Sequence, residues 1–98
     1  MTIENFKAAL ETLTALEIEA LKSALISSDG NGHDFGFTDD IKIKGQSKQV
    51  AGALVSSLIK KGIVDRDDEF GQFAFGDIYS DFKYACAEAV EDFIARLA

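Results

Sequence analysis

The sequence predicts an α+β fold, mostly helical, on three observations. Apolar residues recur at three- and four-residue steps over most of the chain, two short alternating segments flank an Asp- and Gly-containing turn, and there is no proline. Ninety-eight residues, 47% apolar and with eight Phe, suffice for one small core. One domain spanning 1–98 is therefore expected, with a core at 14–75 and terminal helices at 2–13 and 77–97.

Each element follows from local chemistry. Ile3, Phe6, Ala9, Leu10 and Leu13 repeat at helical spacing and predict a short leading helix. Thr14-Ala15-Leu16-Glu17 has capping-box spacing, so a second helix starts near Thr14. Its core face is read as Leu16, Ala20, Leu21, Ala24 and Leu25, and Ser27 to Gly30 end it. Asp29 to Asp34 form a dense turn cluster, and Phe35-Gly36-Phe37 alternate as a very short strand. Thr38, Asp39 and Asp40 are placed to cap a brief helix over Ile41 and Ile43, broken by Gly45. Ser47 caps a longer helix from Lys48 to Lys61, and Gly62 suits the left-handed residue beyond it. On that helix Val50, Ala51, Leu54, Val55 and Leu58 gather in an arc of about 140 degrees, a normal core-facing width. Residues 63–66 and 72–75 predict a hairpin joined by Asp67 to Gly71. Asp77 is expected to cap the last helix, whose stripe runs through Phe82, Cys86, Ala89, Val90, Phe93, Ile94 and Leu97.

Charge is segregated along the chain. The net charge is −7, yet Lys42, Lys44, Lys48, Lys60 and Lys61 fall between Ile41 and Lys61 with no Asp or Glu among them. Binding of nucleic acid over the whole surface is excluded by the net charge, whereas one face remains suited to an anion. No long apolar run and no basic leader are present, so a cytoplasmic protein without a membrane span is expected. Cys86 is the single cysteine, and its alanine-rich surroundings predict a buried apolar role.

Helix, short strand, short helix, turn, helix, glycine and hairpin, in that order, resemble a winged helix-turn-helix domain of the kind found in MarR-like and ArsR-like transcription regulators. The resemblance covers roughly Thr14 to Phe75. Its most specific segment, Gln49 to Val64 (QVAGALVSSLIKKGIV), is similar to a recognition helix running into a β-hairpin wing. The resemblance implies a small DNA-binding transcription regulator. Lys42, Lys44, Lys48, Lys60 and Lys61 would then contact phosphates, with Gln46, Ser47, Gln49, Ser56 and Ser57 in closer contact. Small Gly52, Ala53 and Ser56 would let the helix backbone come near its partner.

A second reading stays open. The proposed recognition helix has no Arg, and the expected wing carries Asp65, Asp67, Asp68 and Glu69 around one Arg66. Gly52, Ala53, Asp67, Asp68 and Glu69 would then form the docking surface of a protein-binding adaptor or inhibitor, as stand-alone winged helices do in phages and mobile elements. The terminal stripe also has two readings. It packs on Ile3, Phe6 and Leu10, or it forms a homodimer seam through Phe82, Val90, Phe93 and Leu97, as in MarR-like proteins.

Other constellations are weaker. Asp29, Asn31 and Asp40 have the first, third and twelfth spacing of a calcium loop, but Asp34 occupies the sixth position, where glycine is required. His33 is the single histidine, so one chain supplies neither a zinc ligand set nor a histidine-based triad. No glycine loop follows a strand to cradle phosphates. No enzyme, cofactor, metal or small-molecule substrate is expected.

Overall fold

Thr2 opens the first helix by accepting the Asn5 N–H on Oγ1 at 3.1 Å, and α1 runs Ile3–Leu10. A turn at 11–14 separates it from α2 (Ala15–Gly30). The capping box is reciprocal. Glu17 N–H donates to Thr14 Oγ1 at 3.2 Å, and Thr14 N–H donates to Glu17 Oε1 at 2.8 Å. The computed structural model describes residues 1–30 and 36–97, so His33, Phe35 and the centre of the Asp29–Asp40 loop lie outside the described residues.

Beyond that loop come β1 (Gly36–Phe37), a single 3-10 turn (Thr38–Asp40), α3 (Lys48–Lys60), β2 (Val64–Asp67), β3 (Gln72–Phe75) and α4 (Phe82–Leu97). The fold is α+β, with an antiparallel sheet in the order β1-β3-β2. Val64 pairs with Phe75 and Asp67 with Gln72, while Gly36 pairs with Phe73. Because β3 is central, Phe73, Ala74 and Phe75 are all buried, as expected of a strand covered on both faces.

One core joins every layer. α1 packs on α4 and α2 on α3, and Phe6, Leu10, Val90 and Phe93 share one buried cluster with Ala20, Leu21, Ala24, Ala51, Val55 and Leu58. Gly62 takes φ 76° after α3, where only glycine avoids strain, and turns the chain into β2. Gly76 does the same at φ 78°, and a Cβ there would lie 2.4 Å from Cys86 Sγ. Burial pushes the Cys86 thiol up to about 11, with Asp77 adding to the shift.

Three expectations need correction. No helix spans Ile41 and Ile43: the 3-10 turn ends before them, and the chain runs extended so that both side chains reach the core. The last helix begins at Phe82 rather than 77, because Asp77 accepts from the Tyr79 N–H at 2.9 Å and Ser80 from the Phe82 N–H at 3.1 Å, holding turns. Leu16 is exposed, and the buried face of α2 is instead Glu17, Ala20, Leu21, Ala24 and Ser28. Of the two readings of the terminal stripe, burial accords with packing in the chain's own core: Val90 and Phe93 are buried, Phe82 is half-buried and Leu97 is exposed. Among the described residues no helix is long and apolar enough to cross a membrane.

Candidate nucleic-acid interface

Lys42 and Lys44 alternate with Ile41 and Ile43 on a non-helical segment that is extended at Ile41 and enters a turn at Lys44. The isoleucines point into the core, so the lysines point out. Ser23 of α2 fixes this segment by accepting the Lys42 N–H on Oγ at 2.8 Å. Gln46 follows, exposed, and Ser47 then caps α3 by accepting the Val50 N–H at 3.2 Å. Lys48 occupies the first turn of α3, which holds no acidic residue. Gln49, Gly52, Ala53, Ser56 and Lys60 are exposed along the same helix.

The segment from Ile41 to Lys48 and the Ala51, Gly52 and Val55 side of α3 border a groove of about 680 Å³. Its floor is Ile41, Ile43, Ala51 and Val55, and its rim carries Lys42, Lys44, Gln46, Ser47, Lys48 and Arg66, with Asp39 also on the wall. A Cβ at Gly52 would meet no heavy atom within 4 Å, so the glycine leaves the groove open on that side. Among the described residues, Lys42, Lys44, Lys48 and Lys60 form no ion pair. Their positive charge faces water.

Lys61 and Ser57 differ from the other residues expected at the interface, because both are engaged within the fold. Lys61 Nζ donates to Glu17 Oε1 at 2.8 Å and to the Thr12 carbonyl at 3.2 Å. Ser57 O–H donates to Glu17 Oε2. Glu17 is 3% exposed, and Lys61, Ser57 and the Thr14 N–H together lower its carboxyl pKa from 4.5 to about 2 against the opposing effect of burial. Both side chains are thus held by α2 and clamp α3 against it.

The hairpin sorts its charges by the pleat. Arg66 lines the groove, whereas Asp65 and Asp67 turn to the other face of β2. There Asp65 Oδ2 accepts the Ile78 N–H at 2.8 Å, and Asp67 Oδ1 accepts the Glu69 N–H at 3.0 Å. The Tyr79 phenol sits beside them, its pKa raised by partial desolvation and then by the carboxylates of Asp67, Asp65 and Glu69. Asp68 Oδ1 pairs with Arg66 Nε at 2.6 Å on an exposed part of the turn, a contact of small energetic worth.

Two parts of this arrangement escaped the sequence reading. Arg66 belongs with the lysines, and the available signal was alternation within β2. Glu17 was read as a capping residue alone, although Glu17, Ala20, Ala24 and Ser28 form a small-residue stripe at three- and four-residue steps, with an acid at its head. Among the described residues, no group of three or more His, Cys, Asp or Glu side chains is placed to hold a metal ion. No family model matches this chain, and no curated protein or solved structure matches it either.

Proposed function

We propose that the chain is a small DNA-binding regulator that docks the outward face of α3, from Lys48 to Lys60, together with the segment from Lys42 to Ser47, on duplex DNA. The observation that carries this reading is the set of exposed, unpaired lysines, Lys42, Lys44, Lys48 and Lys60, on and beside a helix whose outward face is small. Lys48 stands where the helix dipole favours an anion over a cation, so a docked phosphate relieves an unfavourable arrangement. The turning of Asp65 and Asp67 away from the groove removes part of the repulsion an acidic hairpin would exert. Gln49 on the exposed face has the donor and acceptor needed to read adenine.

The winged-helix reading is supported by the placement of α3 between β1 and β2 and by the sheet order β1-β3-β2. The chain departs from that pattern at Ile41 to Ile43, where the expected short helix gives way to extended backbone. Here the non-helical segment and the turn after it present Lys42 and Lys44 beside α3.

Fluorescence anisotropy with a labelled random duplex tests the proposal. With four lysines on phosphates, the logarithm of the binding constant should fall with that of salt with a slope of roughly −3 to −4. Lys48→Glu with Lys60→Glu should abolish binding. No binding at micromolar protein, or a flat salt response, favours the adaptor reading through Gly52, Ala53, Asp67, Asp68 and Glu69.

A further inference from the structure

We infer that the tip of the β2–β3 hairpin of one copy docks into the lysine-rimmed groove of a second copy, so that the chain forms a reciprocal homodimer. Phe70 crowns the tip at 62% exposure, large and apolar, with exposed Asp68 and Glu69 preceding it. A lone exposed aromatic is ordinary; one flanked by carboxylates on the same molecule as a matching groove is more informative.

The groove has the complementary character. Ile41, Ile43, Ala51 and Val55 supply an apolar floor, and the lysine rim around it matches the Glu69 carboxylate beside Phe70 and that of Asp68, which would exchange its exposed contact with Arg66 for the second copy's lysines. Asp39 on the wall is the opposing charge, outnumbered by Lys42, Lys44 and Lys48. The tip is also held in shape before it docks. The Gly71 carbonyl accepts both the Thr38 N–H at 2.8 Å and the Thr38 hydroxyl at 3.0 Å, and Gly71 N–H donates to the Asp67 carbonyl at 2.9 Å. A preformed knob loses little freedom on binding.

Thr38 also explains why the pairing is reciprocal. It both lines the groove and holds Gly71, so the knob and the groove of one copy adjoin. Two copies related by a two-fold axis can therefore exchange tips through one shared face, each filling the other's groove. This inference stands apart from DNA binding, although the two occupants compete for Lys42, Lys44 and Lys48. The dimer is the form in which those lysines are covered.

Sedimentation velocity on the full chain, from micromolar to millimolar protein at low salt, gives the test. The mass should rise with concentration from the 10.6 kDa of one chain toward twice that value, and high salt should reverse the rise. Phe70→Ser should weaken the dimer at least tenfold, as should Lys44→Glu with Lys48→Glu, with circular dichroism showing each variant folded. Adding Asp68→Lys and Glu69→Lys to the lysine variant restores opposite charges across the contact and should restore the dimer. A wild-type mass of one chain throughout overturns the inference. So does a dimer unaffected by both variants, or a combined charge-swapped variant that stays monomeric.

Discussion

Lys48 and Lys61 lie at the two ends of α3, and the same residue type serves two purposes there. At the N-terminal end Lys48, with Lys42 and Lys44 beside it, has no carboxylate partner among the described residues and borders an open groove. At the C-terminal end Lys61 is bound to a buried Glu17 that also accepts from Ser57. The difference is made by α2, whose Glu17 reaches Lys61 but not its exposed neighbour Lys60, and which among the described residues pairs no carboxylate with Lys48. A lysine's charge is therefore available for a partner only where the fold has not already supplied one.

The most forceful way to break this comparison is to reverse charge at the free end. Lys44→Glu with Lys48→Glu should lower duplex affinity by roughly tenfold for each residue changed, since an attraction becomes a repulsion, while thermal stability is nearly unchanged. Equal losses from Lys61→Met, measured by anisotropy at the same salt, would show that the two ends do not differ.

The next effect belongs to the bound end. Glu17→Ala strips Lys61 and Ser57 of their shared acceptor and should cost roughly 2–3 kcal/mol in urea denaturation, or at least about 8 °C in melting temperature. Lys61→Met should also destabilise, because it leaves a buried carboxylate with fewer donors. A melting temperature within a degree or so of wild type in both would dissolve the clamp.

pH sharpens the same point. The Glu17 carboxyl is held near 2 in the fold against an ordinary 4.5, so its contribution is complete above 4.5 and is lost as pH falls toward 2. Stability measured by chemical denaturation should decline over that window by up to about 3 kcal/mol more in wild type than in Glu17→Gln. Parallel pH profiles for the two proteins would contradict the assignment.

The smallest effect separates packing from recognition. Gly52 sits inside a helix with open space where a Cβ would be, so Gly52→Ala should stabilise the fold by about 0.5–1 kcal/mol. The added methyl should nevertheless lower duplex affinity by holding the backbone further from DNA. An unchanged affinity would mean that the small face of α3 is not in contact.

Much of this organisation was legible in the sequence because it rests on local chemistry. The Thr14–Glu17 box, the Ser47 cap, the Gly62 stop and the existence of the hairpin each follow from a few neighbouring residues, and each forms, although β2 is Val64–Asp67, one residue later than expected. What failed depended on tertiary competition. Thr38 to Ile43 has the composition of a capped helix, yet Ile41 and Ile43 reach the core only in an extended conformation. Apolar residues surround α2 on all sides, so periodicity could not show that Glu17 rather than Leu16 faces inward. The lysines were visible as an island, but their division into free and bound members depends on Glu17, forty-four residues from Lys61 in sequence. No local pattern carries that pairing.

The central claim, that docking belongs to the free end of α3, is tested most directly by amide chemical-shift mapping of isotope-labelled protein titrated with random duplex DNA. The account expects progressive shifts at Lys42, Lys44, Ser47, Lys48, Gln49 and Gly52, with Thr14, Glu17 and Tyr79 unmoved. Shifts centred on Tyr79 and Glu69, or no shifts at all at low salt, would contradict it.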